Sequence, residues 1–513
     1  MAKQPGKIVC WRDYTSQVIS SALYELPAGD TSVSLAELNR KTGYAGREIL
    51  AEASGVGDIV DHLKLIVGDK AVVTGAALAE RATSYWDVSP TQAKALVKPS
   101  STEEVSQILV HCNEVSQSVV VQGGLTGVVA GANSTENDII LSLERLNRIE
   151  SIDESESVAT VQAGVVLQNL QDALATRDLL FPLDLGARGS CTLGGNIATN
   201  AGGINVLRYG MVRNLVLGLE VVLMDGSVLS SMYPMLKNNT GYDLKQLFIG
   251  SEGTLGVVTR VVVRLFPLPT SKQSAMIATA SFESVIELLA RFRQGLAGTL
   301  SAFEVMWQSY YQGVTGPDAH KPPLGREHNY YILIEAEGFA QASDQARFDG
   351  LLESAFEDGL IADAIVPTSA RERSELWIIR EVFDPLLPAY LYDVSLPIKF
   401  MAEYTEEISE QLKLEVGDVT SVVFGHIADG NLHIFVLPSS SDKSLNEAEH
   451  HAVDKVVYST LQKFGGSISA EHGIGIEKKA WLKINRTGEE MKLMHAIKDQ
   501  VDAKHLLNPG KVL

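Results

Sequence analysis

The run Leu183-Asp-Leu-Gly-Ala-Arg-Gly-Ser-Cys-Thr-Leu-Gly-Gly-Asn-Ile-Ala-Thr-Asn-Ala-Gly-Gly203 decides how the rest of the chain is read. It gathers glycine, asparagine and threonine into one stretch whose only charges are Asp184 and Arg188. It reads as a loop without structure of its own, and a loop of that length in a compact domain is usually functional or disordered. Residues this small let backbone N–H groups come close to a bound anion. Upstream, Gly123-Gly-Leu-Thr-Gly127 follows the β-branched run Ser118-Val-Val-Val-Gln122. Downstream, Gly250-Ser-Glu-Gly-Thr-Leu-Gly256 leads into a strand expected over 257–265. Between the loops, strands are expected at 139–143, 158–163 and 217–223, and Pro99-Ser-Ser-Thr-Glu-Glu-Val105 opens a helix with an acidic first turn. The GxG triplets at 55–57 and 473–475 lack the third glycine and the strand–helix setting of a dinucleotide fold, and no GxxxxGK[ST] occurs.

The remaining arithmetic narrows the class. A chain of 513 residues, 45% hydrophobic and 21% charged, has globular composition and room for several cores. Its 43 Lys and Arg against 63 Asp and Glu give a net charge of −20, which repels phosphate backbones and argues against nucleic acid as partner. Cys10, Cys112 and Cys191 share no CxxC and read as reduced thiols. No stretch approaches the ~18 uninterrupted apolar residues of a membrane helix. The N-terminus has no apolar core with a cleavage site, and Asp13, Glu25 and Asp30 weigh against a transit peptide, so a cytoplasmic protein is expected. An α+β architecture follows. A helical extension is expected over 1–85, with a capping box at Ser34-Leu-Ala-Glu37, and a glycine-loop domain over 86–268. A substrate domain over 269–460 reads as a ferredoxin-like antiparallel sheet flanked by helices, and a helical C-terminal segment follows over 461–513.

The three loops, in this order, resemble the two-part FAD-binding domain of the vanillyl-alcohol-oxidase-type (PCMH) flavoproteins. Pro182-Leu-Asp-Leu-Gly186, Gly194-Gly-Asn-Ile-Ala-Thr-Asn-Ala-Gly-Gly203, Leu207-Arg-Tyr-Gly210 and the run from Asn239-Thr-Gly-Tyr-Asp to Gly256 most resemble the D-2-hydroxyglutarate dehydrogenases, with D-lactate dehydrogenases close behind. The resemblance implies FAD in an extended pose, its pyrophosphate near Gly123, Gly124, Leu125, Thr126 and Gly127. The rest of the flavin site it implies comprises Leu185, Ser190, Thr192, Gly194, Gly195, Asn196, Thr199, Asn200, Gly202, Gly203, Glu252, Gly253, Gly256, Val257, Val258 and Asn508. The wider family often tethers flavin through a histidine; these loops contain none, so FAD is expected to be non-covalent.

Ser421-Val-Val-Phe-Gly-His-Ile-Ala-Asp-Gly-Asn-Leu-His-Ile-Phe-Val436 reads as a β-hairpin, because Asp-Gly favours a two-residue turn. That turn would pair His426 with His433, about 5 Å apart at Cβ on one face, a spacing that suits one metal ion. Gly465-Gly-Ser-Ile-Ser-Ala-Glu-His-Gly-Ile-Gly475 adds Glu471 and His472 in a glycine-flanked turn. Two histidines and a carboxylate form a common divalent-metal set with positions open for substrate. The family's motif, which resembles GHxxDGNxH followed by SxEHGxG, implies His426, His433 and Glu471 as ligands of Zn or Mn and His472 as catalytic base and substrate contact. Arg380 matches the family's substrate-carboxylate arginine.

Three substrate-contact positions depart from the hydroxyglutarate pattern. Asp384 stands where the family has Thr, Leu391 where it has Lys, and Phe435 where it has Asn. Without that cation and amide a second substrate carboxylate is hard to hold; Lys399 is the nearby substitute cation considered. The expectation is a FAD- and metal-dependent dehydrogenase that oxidises a D-2-hydroxy acid to the 2-oxo acid by hydride transfer to flavin N5. Its substrate would carry an apolar side chain, as D-lactate or D-mandelate does. The alternatives are a D-2-hydroxyglutarate dehydrogenase, and beyond it a flavin oxidase or non-catalytic flavoprotein. The electron acceptor is expected to be an electron-transfer flavoprotein, a quinone or a cytochrome, and a homodimer is compatible with the resemblance.

Overall fold

The computed structural model describes residues 58–317, 319–438 and 445–513. Cys10, the Ser34 capping box and most of the expected extension lie outside the described residues. Helix α1 (Ile59–Val67) precedes the first sheet, which contains β1 (Val72–Val73), β2 (Ala95–Val97), β3 (Val119–Gln122) and β4 (Ile139–Ser142) in the order β1-β2-β4-β3. Strands β2, β4 and β3 are parallel, and Ala95–Val97 and Ile139–Ser142 are buried throughout, as two-sided cover by helices requires. Strand β1 pairs antiparallel with β2 through Val72 and Val97, so the boundary expected at residue 85 falls between two strands of one sheet. Helix α2 (Thr102–Glu114) is capped by Ser101 and buries Val105, Ile108, Leu109 and Cys112.

The second sheet is antiparallel: β5 (Ile149–Asp153), β6 (Val158–Gln162), β8 (Val216–Val222), β9 (Val228–Ser231) and β10 (Val257–Arg264) lie in the order β5-β6-β10-β8-β9. The ribbon β7 (Leu179–Leu180) and β11 (Phe266–Pro267) closes this half. Its long glycine stretch is not structureless, because Leu193–Ala198 forms the short helix α3.

A seven-stranded antiparallel sheet forms the other half. It contains β12 (Ser271–Thr279), β13 (Leu300–Trp307), β14 (Tyr330–Gly338), β15 (Asp363–Ile365), β16 (Tyr390–Ser395), β17 (Thr420–Gly425) and β18 (Asn431–Leu437). The order is β15-β12-β14-β13-β17-β18-β16. Its first four strands run fourth-first-third-second, the ferredoxin-like arrangement, extended at β13 by three further strands. One face is covered by α4 (Phe282–Gly295), α5 (Gln341–Glu357), α7 (Met401–Glu415) and α8 (Glu447–Lys463), which share an apolar core with it. The opposite face buries Met306, Phe424 and Phe435 against Leu376 and Ile379 of α6 (Ala370–Glu381). Helix α9 (Gly488–Val501) carries the chain back to the first sheet, where Val119 N–H donates to Leu506 O at 2.8 Å.

Candidate active site

The three glycine loops meet. A Cβ at Gly124 would sit 2.2 Å from Ser190 O, so only glycine lets the first loop press against the second. The third joins through Glu252 N–H to Ala198 O at 2.7 Å, and Asn508 accepts from Val121 N–H at 2.8 Å while its amide donates to Glu252 O at 2.7 Å. Among the described residues, none of the backbone N–H groups of 123–127 donates a hydrogen bond within the protein, and Leu125 has φ +57°. A row of free N–H groups on a turn is an anion-binding concavity. Nearby, the buried Thr192 hydroxyl has no partner. These free donors fit a pyrophosphate-bearing cofactor. Val257 and Val258 are 1% and 6% exposed and turn their side chains into the core, so only their backbone is left to face a ligand. The Glu252 carboxylate is engaged elsewhere, accepting from Ile474 and Gly475 N–H at 2.7 Å each.

The histidine hairpin is built differently from the two-residue turn. Phe424, not His426, stands opposite His433. A 3₁₀ turn over Ile427–Asp429 and a left-handed Gly430 make the connection, because the type I′ turn needs positive φ at both central residues and only Gly430 supplies it. The shift is an even number of residues, so both imidazoles keep the same sheet face. Their ring centroids are 5.3 Å apart. His426, His433 and Glu471 bring ligand atoms within 4.8 Å of one another. Glu471 Oε1 accepts Gly203 N–H at 2.6 Å, while Oε2 lies 3.9 Å from His426 Nε2. The cluster is therefore bolted to the second glycine loop, with one carboxylate oxygen left over for a cation.

Two buried carboxylates complete the site, and the sequence reading assigned neither. Glu304 on β13 binds His426 Nδ1 at 2.7 Å and accepts from Arg380 Nε at 2.8 Å. Burial alone would raise Glu304, but His426 and Arg380 hold its carboxyl below the ordinary value. Burial works against the charged form of His426 as well, yet Glu304 reverses that and pushes it up to about 9. With Nδ1 held by a carboxylate, Nε2 faces Glu471, the orientation that metal-ligating histidines usually have. Burial and the neighbouring His426 drive His433 well below its usual value, toward the neutral form a ligand needs. Asp393, fully buried on β16, is opposite His433 and 3.9 Å from Nδ1 of both His433 and His472. Burial opposes its charge, but His472, Lys478 and His433 keep it strongly acidic. Neither Glu304 nor Asp393 carried a signal beyond its place inside an apolar strand.

The substrate positions divide. Arg380 is 7% exposed, lies over the Phe424 ring at 4.7 Å, and pairs with Glu304 Oε2 through both Nε and Nη2, each at 2.8 Å. His472 stacks on His433 with centroids 6.0 Å apart. Leu391 and Phe435 are cross-strand partners beside these groups. Asp384 is exposed at the start of a 3₁₀ turn, so it adds no buried anion. Lys399 is exposed with its ammonium over Phe400, and so does not serve as the substitute cation.

Residues 93–231 match the FAD binding domain and 268–512 the C-terminal domain of FAD linked oxidases. The fold and site thus define a FAD-linked oxidoreductase acting on a CH–OH group. The chain is 40% identical over 429 residues to the D-2-hydroxyglutarate dehydrogenase of Danio rerio, covering 82% of this chain and 78% of that one. The enzyme of the same name from Arabidopsis thaliana is 38% identical over 462 residues, with 88% and 81% covered, and that from Xanthomonas citri pv. viticola 38% over 434, with 84% and 90%. The chain belongs to this family, the FAD-dependent D-2-hydroxy-acid dehydrogenases. p-Cresol methylhydroxylase shares the fold at a TM-score of 0.69 and 16% identity, over 88% of this chain and 96% of that one. The cytoplasmic assignment is corrected: the Danio and Arabidopsis relatives are mitochondrial by name. Surface charge and a few N-terminal carboxylates do not report the compartment, which a receptor reads from an address. Among the described residues no helix is long and apolar enough to cross a membrane.

Proposed function

We propose that this dehydrogenase holds its FAD without a covalent tether, uses a divalent cation at His426, His433 and Glu471, and prefers D-2-hydroxy acids with an apolar side chain. When bound in the glycine loops, FAD would supply the acceptor for the substrate's Cα hydride, and a cation held by His426, His433 and Glu471 would supply the charge that lowers the pKa of the hydroxyl. Arg380, whose Nε and Nη2 are held by Glu304, offers the remaining N–H groups of its guanidinium to the 2-carboxylate. His472 takes the hydroxyl proton, as a half-buried imidazole with access to solvent can. Phe424 and Phe435, 3% and 7% exposed, keep water from the side-chain end of the site.

One observation carries the substrate reading. Leu391 and Phe435 face one another across β16 and β18, two residues from Asp393 and His433 on the same sheet face. The substrate side chain leaving the metal therefore meets carbon. The names of the relatives favour D-2-hydroxyglutarate instead. Steady-state rates with D-lactate, D-mandelate and D-2-hydroxyglutarate, an artificial acceptor, and chelator present or absent separate the readings. The expected result is faster turnover of the apolar acids, abolished by chelation while the flavin absorbance stays. Preference for the dicarboxylate overturns the side-chain reading and leaves the family assignment standing. The physiological acceptor we infer to be a one- or two-electron carrier such as an electron-transfer flavoprotein, since the chain has no nicotinamide fingerprint.

A further inference from the structure

We infer that Asp393 is a positioning residue for the reaction, the anchor that fixes the backbone presenting Glu471 and His472 and joins it to the histidine hairpin. Residues 469–475 form no helix or strand, so no ladder orders them. Glu252 holds the N–H groups of Ile474 and Gly475, and Asp393 holds those of Ala470, Glu471 and His472. Its Oδ2 accepts N–H groups from three consecutive residues, Ala470 at 3.1 Å, Glu471 at 2.8 Å and His472 at 3.0 Å. Its Oδ1 accepts the Asn431 amide at 2.8 Å. Asn431 in turn donates its backbone N–H to His426 O at 3.2 Å, at the mouth of the hairpin. One carboxylate therefore holds the base, the acidic ligand and the hairpin of both histidines in a single frame.

The geometry demands a carboxylate and not merely a polar group of that size. Both oxygens face donors: the three backbone N–H groups on one side and the Asn431 amide on the other. An asparagine at 393 would turn an NH₂ toward one of those sets, so it cannot satisfy both. The Lys478 ammonium, 4% exposed as a residue, donates to Asp393 O at 3.2 Å and lies 3.9 Å from Oδ2, which balances the buried anion. Ser469 Oγ, at 3.5 Å, adds a weaker fourth donor to Oδ2. Strand β16 is rigid, paired with β18 from Tyr390 to Ser395, so the anchor itself is fixed by the sheet.

The test is Asp393→Asn in flavin-loaded enzyme, with three readouts. We expect kcat to fall at least 100-fold with KM for the 2-hydroxy acid within threefold, and Mn²⁺ affinity measured by titration to fall at least tenfold. Amide exchange at 470, 471 and 472, protected in the wild type, should accelerate at least tenfold, while the flavin absorbance stays. A kcat within threefold of wild type, or unprotected amides at 470–472 in the wild type, overturns the inference. If Asp393→Asn yields no flavin-loaded protein, Asn431→Ala carries the test, because it removes the donor to the other oxygen, along with that amide's bond to Val394 O at 2.9 Å, and leaves the Oδ2 bonds to 470–472 in place. It should lower kcat at least tenfold with KM unmoved, and an unchanged kcat overturns the role. The Mn²⁺ arm rests on the proposed metal. Wild-type enzyme that binds no Mn²⁺ refutes that metal, and the kcat and amide-exchange arms still decide on Asp393.

Discussion

Two rows of side chains cross the same face of the large sheet, about 7 Å apart along the strands. The first runs Asp393, His433, Phe424 and Met306; the second runs Leu391, Phe435 and Val422. In the first row the charged groups are cross-braced: Asp393 to the 470–472 backbone, and beside it Glu304 to His426 and Arg380. In the second row no side chain offers a hydrogen bond. On the proposed function, chemistry falls to one row and substrate choice to the next, and a difference of two residues along β16 and β18 separates them. Changes in the first row should destroy turnover for every substrate. Changes in the second should redistribute it among substrates.

The largest effect expected is from His433→Ala. It removes one of the three groups that converge on the proposed cation position and leaves the flavin loops untouched. The loss in kcat should reach 10³-fold or more for all 2-hydroxy acids, about 4 kcal/mol of transition-state stabilisation. Mn²⁺ titration should show the site lost while the flavin spectrum persists. Phe435→Leu, two residues along the strand, should change kcat less than tenfold, and equal losses in the two variants would erase the distinction between the rows.

A smaller effect, of opposite sign, tests the second row. Leu391→Lys restores a cation at the half-buried cross-strand partner of Phe435. The ratio of kcat/KM for D-2-hydroxyglutarate to that for D-lactate should rise about tenfold, or about 1.4 kcal/mol. Adding Phe435→Asn should raise it further at a stability cost of about 3 kcal/mol, because a large buried ring is removed. A ratio that stays flat in both variants would place the substrate side chain somewhere other than this row.

How much of this was legible in the sequence differs between the halves. The glycine loops make their site from backbone, and a backbone site needs particular residue types in local order, so Gly123–Gly127 and Gly194–Gly203 announce it. The other site is assembled from β13, β16, β18, α6 and the 469–475 segment. The histidines could be found because they share one hairpin, although the Asp-Gly rule gave the wrong register: a 3₁₀ turn absorbed two extra residues. Glu304 could not be found. Strand β13 is buried on both faces, so its one acid sits in an apolar run with no alternation to mark a face, and its partners His426 and Arg380 are far away in sequence. Asp393 was equally silent in Tyr392-Asp-Val-Ser-Leu-Pro397, since its meaning lies in the backbone of residues 470–472. Arg380 had the pattern of a helix-surface cation, and only tertiary packing shows it buried.

The smallest effect concerns where the second row ends. Phe435 meets Phe383 edge-on at 5.6 Å, and Phe383 stacks on Trp86 at 5.9 Å. Trp86 is 41% exposed and comes from the flavin half, on a turn whose Tyr85 N–H donates to Leu125 O at 3.0 Å. The aromatic row thus opens to solvent at a ring supplied by the cofactor-binding side. Trp86→Ala removes one stacked contact, worth about 1 kcal/mol. It should lower kcat/KM about fivefold for D-mandelate, whose phenyl group reaches along the row, and leave D-lactate within twofold, because a methyl group ends before Phe383. Equal losses for the two acids would mean that Trp86 only braces the turn, and that the row closes at Phe435.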